Sequence, residues 1–128
     1  MKIPLADNCT TEELEKARRP IASLISKSEK AQQKLVSGTW QHTMLRDNIK
    51  ALRIAFALMN KETNVTDHFT RDELEEALHA FDAMMSRADK AQSKFSPGTS
   101  QHTLLRNRLK ALRIAEALTQ LDLNARKA

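Results

Sequence analysis

Apolar residues recur at helical spacing along most of the chain. Leu14, Ala17 and Ile21 are three or four positions apart, and residues 44–59 carry apolar side chains around almost half of a helical circumference. Such spacing places side chains on one face of an α-helix. The pattern predicts long helices, and we expect the apolar residues from Leu14 to Leu35 to be buried.

The sequence repeats itself after 60 residues without a gap. KALRIA occupies residues 50–55 and again 110–115, and QHT occupies 41–43 and 101–103. About half of the aligned positions are identical, which chance does not produce. We therefore expect a tandem duplication in which each copy is a helical hairpin.

Both copies begin with a signal for a helix start. Thr10 and Thr70 are each followed three residues later by glutamate, Glu13 and Glu73, which is the pattern of a capping box. Helix capping therefore accounts for both glutamates, and no catalytic role is needed to explain them. Pro20 falls inside the first predicted helix, where it should remove a hydrogen bond and kink the helix.

A tight turn is predicted in the middle of each copy. Gly38 and Gly98 can adopt the left-handed conformation that ends a helix, and the threonine after each glycine can cap the next one. Apolar residues before the turns, including Ala31 and Phe95, are assigned to the core. We expect a polar network to hold each turn, formed by Gln32, His42, Gln92 and His102.

One hairpin of about 50 residues cannot bury so wide an apolar arc by itself. The sequence therefore predicts an all-α protein, in which two tandem hairpins pack as a pseudo-two-fold four-helix bundle. We expect a single domain over residues 1–128, with repeat unit one at 10–60, a linker at 61–69, repeat unit two at 70–121 and flexible termini at 1–9 and 122–128.

Composition supports this fold class and limits the compartment. The 128 residues suffice for one domain. The chain has only two glycines and three prolines, which disfavours a turn-rich β fold. The net charge of +5 is uneven, since residues 1–64 carry +4 and residues 65–128 carry +1. With Cys9 as the single cysteine and no predicted secretory signal or membrane span, we expect a cytoplasmic protein with no membrane partner.

A basic stripe is predicted on the second helix of each copy. At 100° per residue its members fall within about 80° of one another. They are His42, Arg46, Lys50 and Arg53 in the first copy, and His102, Arg106, Lys110 and Arg113 in the second.

Two interpretations of these stripes are open. The favoured one makes each stripe a face that is either solvated or paired with acids near the start of the preceding helix, namely Glu12, Glu15, Asp72, Glu75 and Glu76. The other makes each stripe a site for an anion or a nucleic acid, because guanidinium groups match phosphates and carboxylates.

The two copies differ in a way that suggests a protein interface. Trp40, Phe56 and Met59 are replaced by serine, glutamate and threonine in the second copy. Positions that accept polar residues are expected to be partly exposed, so the three apolar side chains could form a patch for another chain. Equally, Phe56 could fill a gap left by a kink at Pro20.

No motif for catalysis, cofactor binding or metal binding is found in the sequence. We therefore expect no catalytic residue, no cofactor and no metal, and a protein that is not an enzyme. The first functional hypothesis is an interaction module that self-associates or binds a protein partner near Phe56. The alternative is nucleic-acid or anion binding through the duplicated stripes.

Overall fold

The computed structural model describes residues 11–60 and 68–126, and four α-helices account for most of them. They are α1 (Thr11–Gln33), α2 (Trp40–Met59), α3 (Arg71–Gln92) and α4 (Ser100–Arg126). The prediction of an all-α protein with four helices packed together is confirmed. In this part of the chain, none of the helices combines the length and apolar character needed to cross a bilayer.

Local capping interactions define the starts of the helices. At α3 the Thr70 hydroxyl accepts from the Glu73 N–H at 3.1 Å, and the Glu73 carboxylate accepts from the Thr70 N–H at 2.8 Å. This reciprocal pair confirms the predicted capping box. At α2 the Thr39 hydroxyl accepts from the His42 N–H. The other predicted cap, Thr10, lies outside the described residues.

α1 and α2 form one antiparallel hairpin, and α3 and α4 form another. Gly38 and Gly98 have φ of +94° and +92°, a region that glycine adopts at little cost, and they reverse the chain in the two turns. At the opposite end of the first hairpin, the Arg18 guanidinium donates to the side chain of Asn60 at 3.0 Å. We call α1–α2 the first hairpin and α3–α4 the second hairpin.

The two hairpins pack through their second helices. α2 and α4 each contact all three other helices, whereas α1 and α3 each pack mainly against α2 and α4. The central position explains why α2 and α4 bury more residues than their neighbours. The largest fully buried side chains are Ile21, Leu52, Ile54, Met59, Leu74, Phe81, Leu112 and Thr119.

Burial is concentrated away from the two turns. Buried residues fall within 14–21, 48–59, 74–88 and 109–123, whereas every residue in 33–38 and 93–98 is exposed. The turns therefore stand outside the common core. This separation determines which surfaces are available for binding.

The prediction that residues just before the turns are buried is wrong. Ala31 is exposed, and Leu35 and Phe95 are 36% and 38% exposed. Both large side chains follow the last helical residue, because α1 ends at Gln33 and α3 at Gln92. Earlier in the chain, α1 remains helical through Pro20, so any bend there does not interrupt the helix.

The end of the chain is more ordered than the sequence predicts. A flexible terminus was expected from residue 122, but α4 continues to Arg126 and Leu123 is only 3% exposed. The Arg126 guanidinium donates to the Phe69 carbonyl at 2.6 Å, and Phe69, within the predicted linker, packs against the core. The predicted terminus 1–9 and linker residues 61–67 lie outside the described residues.

Candidate functional site

The three cations of the α2 stripe are paired within the molecule. The Lys50 Nζ lies 2.6 Å from a Glu73 carboxylate oxygen, and Arg53 pairs with Glu29. The Arg46 Nε lies 3.5 Å from a carboxylate oxygen of the adjacent Asp47. The self-paired interpretation is therefore confirmed for the cations of α2.

The partners of these cations differ from those the sequence predicts. Of the expected acids, Glu12 pairs with Lys16, Glu15 with Arg18 and Glu75 with Arg71, each within its own helix. Neighbours three or four positions apart on a helix are close before any tertiary packing occurs, so these acids already have a local partner. Asp72 and Glu76 form no ion pair with the stripe in the described part of the chain.

The contact between Lys50 and Glu73 shifts the pKa of each residue. The hydrogen bond from the Lys50 side chain, followed by that from the Thr70 backbone, lowers the pKa of Glu73 below its ordinary value. The same hydrogen bond raises the pKa of Lys50. Both shifts favour the charged forms, so the pair is an ionic contact between the two hairpins near neutral pH.

The α4 stripe differs from that of α2. Within residues 11–60 and 68–126, no carboxylate lies within 4.0 Å of the charged groups of Arg106, Lys110 or Arg113. All three side chains are exposed. The cations of α4 are therefore not self-paired in this part of the chain, and they form the solvated face that the favoured interpretation also allows.

Two sequence differences account for much of this contrast. Asp47, which pairs with Arg46, is replaced 60 positions later by Asn107, which has no charge. Glu29, which pairs with Arg53, is replaced by Asp89, whose side chain is one methylene shorter. Arg106 and Arg113 thus lack the carboxylates that hold their counterparts on α2.

Arg108 is a further basic residue that the predicted stripes do not include. It is half-buried, and burial lowers the pKa of its guanidinium below the ordinary value. None of the described residues supplies a carboxylate within ion-pair distance. The position 60 residues earlier is the buried amide of Asn48, so the second hairpin has a cation where the first has a neutral group.

These residues belong to a continuous segment without acidic side chains. Residues 90–115 contain six lysines and arginines and no aspartate or glutamate, so this segment carries +6 in a chain of net charge +5. It comprises the end of α3, the turn and the first part of α4, and we call it the basic end. The net charge of each chain half conceals this segment, because the acidic residues of α3 offset its positive charge. A charge count in shorter windows reveals it.

The two histidines of the stripes take part in the turns. The Gln32 side chain donates to the His42 carbonyl at 3.2 Å. The Gln92 Nε2 lies 3.3 Å from the His102 Nε2. The predicted polar network at each turn is confirmed, and these contacts connect the two helices of each hairpin.

The predicted apolar patch is not formed. Met59 is 1% exposed, and Phe56 is half-buried and packs against the core. Trp40 is 69% exposed but lies at the opposite end of α2. Because α2 contacts three neighbours, the face that holds Phe56 and Met59 is used for internal packing.

Grooves on the described surface include two that involve residues of the α2 stripe. One, of about 460 Å³, is lined by the apolar side chains of Ile49 and Phe69 and by polar residues that include the ion-paired Glu29 and Arg53. The other, of about 940 Å³, lies between α2 and α3 and holds the Lys50–Glu73 pair. Over the same described ranges, no group of three or more His, Cys, Asp or Glu residues could hold a metal ion.

Comparison of the chain with protein-family models, with curated proteins and with solved structures finds no match. A function has to be inferred from the geometry and charge of the chain itself.

Proposed function

We propose that this protein is a non-enzymatic nucleic-acid-binding module and that the basic end contacts the phosphate backbone. The observation that carries the proposal is the difference between two equivalent sets of cations. Arg46, Lys50 and Arg53 on α2 have carboxylate partners, whereas those on α4 have none in the described part of the chain. Cations without internal partners are available to an external anion.

The spacing on α4 suits an extended polyanion. Arg106, Lys110 and Arg113 follow one another along a single exposed face, with axial separations of about 6 Å and about 4.5 Å. Each cation that neutralises a phosphate releases condensed counterions, and this release provides most of the non-specific affinity for nucleic acids. Lys90 and Lys94, on the other side of the turn, are also exposed and add positive charge to the basic end.

The same segment predicts binding with little sequence selectivity. Phe95 is its single aromatic residue, so it offers little surface for stacking bases. Contacts to phosphates position a protein on a nucleic acid without reading bases. We therefore expect similar affinities for oligonucleotides of unrelated sequence.

We also propose that the chain arose by duplication of one hairpin and that the hairpins are related by a pseudo-two-fold axis. The sequence repeat supports this origin, as does the similar burial of positions 60 residues apart. Leu14 and Leu74 are both buried, and so are Ile21 and Phe81. On this proposal the copies kept a common core while their charged surfaces diverged.

The test compares matched variants on α4 and α2. Affinity for a labelled oligonucleotide is measured by fluorescence anisotropy over a salt series. The α4 variant carries Arg106→Gln, Lys110→Gln and Arg113→Gln, and the control carries Arg46→Gln, Lys50→Gln and Arg53→Gln. Circular dichroism establishes that each variant is folded.

We expect the α4 variant to bind more weakly, and its log–log salt slope to become shallower by about 0.9 for each phosphate that it no longer neutralises. The α2 variant should bind much as the wild type does. Equal weakening in both variants would contradict the assignment to α4. Absence of binding by the wild type at low ionic strength would overturn the proposed function.

A further inference from the structure

The turn of the first hairpin exposes three large apolar side chains within six positions. Val36 is 74% exposed, Trp40 69% and Leu35 36%. We call these three residues the apolar tip. Gly38, with φ of +94°, lies in the turn between Val36 and Trp40, where the Thr39 N–H donates to the Val36 carbonyl at 3.3 Å. Water contact of this extent is unfavourable for apolar side chains, and clustered exposed apolar residues mark interaction sites.

The charged residues that immediately precede the apolar tip in the sequence are positive. Lys30 and Lys34 precede it, both are exposed, and neither forms an ion pair in the described part of the chain. Between Glu29 and Asp47 the sequence has no acidic residue. The tip is thus complementary to a surface that is both apolar and anionic, and contact with a second copy of it would bring like charges together.

The position of the tip favours a broad surface over a peptide in a groove. Residues 33–38 are all exposed and lie outside the core. Trp40 borders the groove between α2 and α3, but that groove also contains the carboxylates of Asp47, Glu73 and Glu76, which disfavour an anionic ligand. Leu35 and Val36 do not line the groove.

We propose that the apolar tip is an interfacial anchor for an anionic lipid bilayer. Tryptophan is enriched at the level of lipid headgroups because its ring is amphipathic. Lysines beside an inserted apolar group bind anionic headgroups while their aliphatic stems cover apolar surface. The expectation of no membrane partner followed from the lack of a predicted span, but an interfacial anchor requires no span.

This inference is independent of the nucleic-acid proposal, because it concerns the other hairpin and another ligand. It also provides a matched internal comparison. The second hairpin has the same Gly-Thr turn but carries Ser96 and Ser100 where the first has Val36 and Trp40. The first tip should therefore bind bilayers, and the second should do so only after substitution.

Trp40 is the single tryptophan of the chain, so its fluorescence reports on the tip alone. The full-length protein is titrated with vesicles of phosphatidylcholine, and with vesicles of equimolar phosphatidylcholine and phosphatidylserine. We expect a blue shift of the emission and protection from acrylamide quenching with the anionic vesicles only. The α4 variant described above should show the same shift.

Co-sedimentation with the anionic vesicles then tests the residues. Val36→Ser with Trp40→Ser should abolish the apolar part of binding, and each of Lys30→Gln and Lys34→Gln should weaken binding roughly fivefold. Adding Ser96→Val and Ser100→Trp to the double serine variant should restore it. Circular dichroism checks the fold of each variant.

Three results would overturn the proposal. The first is an unchanged Trp40 emission in the presence of anionic vesicles. The second is a blue shift that depends on protein concentration without lipid, which would indicate self-association. The third is a blue shift with an oligonucleotide but not with vesicles, which would assign Trp40 to nucleic-acid binding.

Discussion

The Lys50 Nζ and a carboxylate oxygen of Glu73 are 2.6 Å apart, and this contact joins the middle of α2 to the first turn of α3. The same carboxylate accepts the Thr70 N–H and closes the capping box of α3. One side chain therefore stabilises the start of a helix and a contact between the hairpins. The two contributions can be separated by mutation.

Glu73→Gln should keep an acceptor for the Thr70 N–H but remove the ionic contact with Lys50. Because the pair is partly exposed, we expect a decrease of about 0.5 kcal/mol in the free energy of unfolding. Glu73→Ala also removes one half of the capping box and should cost about 1 kcal/mol more. Urea denaturation followed by circular dichroism measures both. Equal decreases in the two variants would show that the cap contributes nothing.

The contribution of Glu73 to the free energy of unfolding should decrease as the pH falls. Its pKa is lower in the folded chain than the ordinary value of 4.5, so the folded state binds its proton less readily than the unfolded state. The contribution is present above the unfolded pKa and is lost as pH falls through the folded pKa. In acid titrations of stability, the difference between wild type and Glu73→Gln should shrink below pH 4.5.

Glu116 should show the opposite dependence. Burial, and secondly the negative charge of Asp82, raise its pKa. A carboxylate with a raised pKa favours the folded state below its unfolded pKa, and this benefit is lost as pH rises through the folded pKa. Glu116→Gln should therefore stabilise the protein at neutral pH by about 0.5 kcal/mol or less. A thermal denaturation series tests this, and destabilisation at neutral pH would contradict it.

Pro20 in α1 and Ala80 in α3 lie 60 positions apart, so each can be replaced by the residue type of the other. Pro20 lies inside α1 and cannot donate the backbone hydrogen bond that alanine would. Pro20→Ala should raise the free energy of unfolding by about 1 to 3 kcal/mol, and Ala80→Pro should lower it by about 3 kcal/mol or more. Urea denaturation of both variants measures the two changes. If Pro20→Ala is neutral, the surrounding contacts of α1 must already depend on the proline ring.

The helices and turns could be predicted from the sequence because their determinants are local. Periodicity, the Thr70 capping box and the glycine turns act within a few residues and need no knowledge of packing. The partners of Lys50 and Arg53 could not be predicted in this way. They depend on where α3 meets α2 and on whether a side chain has the length of Glu29 or of Asp89.

The candidate site was only partly accessible from the sequence. Arg106, Lys110 and Arg113 were found by their repeated spacing, but their lack of partners in the described part of the chain is a property of the fold. Arg108 was missed because it does not lie on the exposed stripe. The threonine counterpart of Met59 predicts partial exposure at this position, yet Thr119 is also fully buried and donates its hydroxyl to the Ala115 carbonyl.

The distance between the buried residues and the turns has a consequence for how this chain can change. Apart from Gly38 and Gly98, whose positive φ the turns require, residues 33–38 and 93–98 contribute little to the interior, so their side chains can be exchanged without loss of the scaffold. The surface of each turn can thereby change independently of the other while the four helices keep their common core.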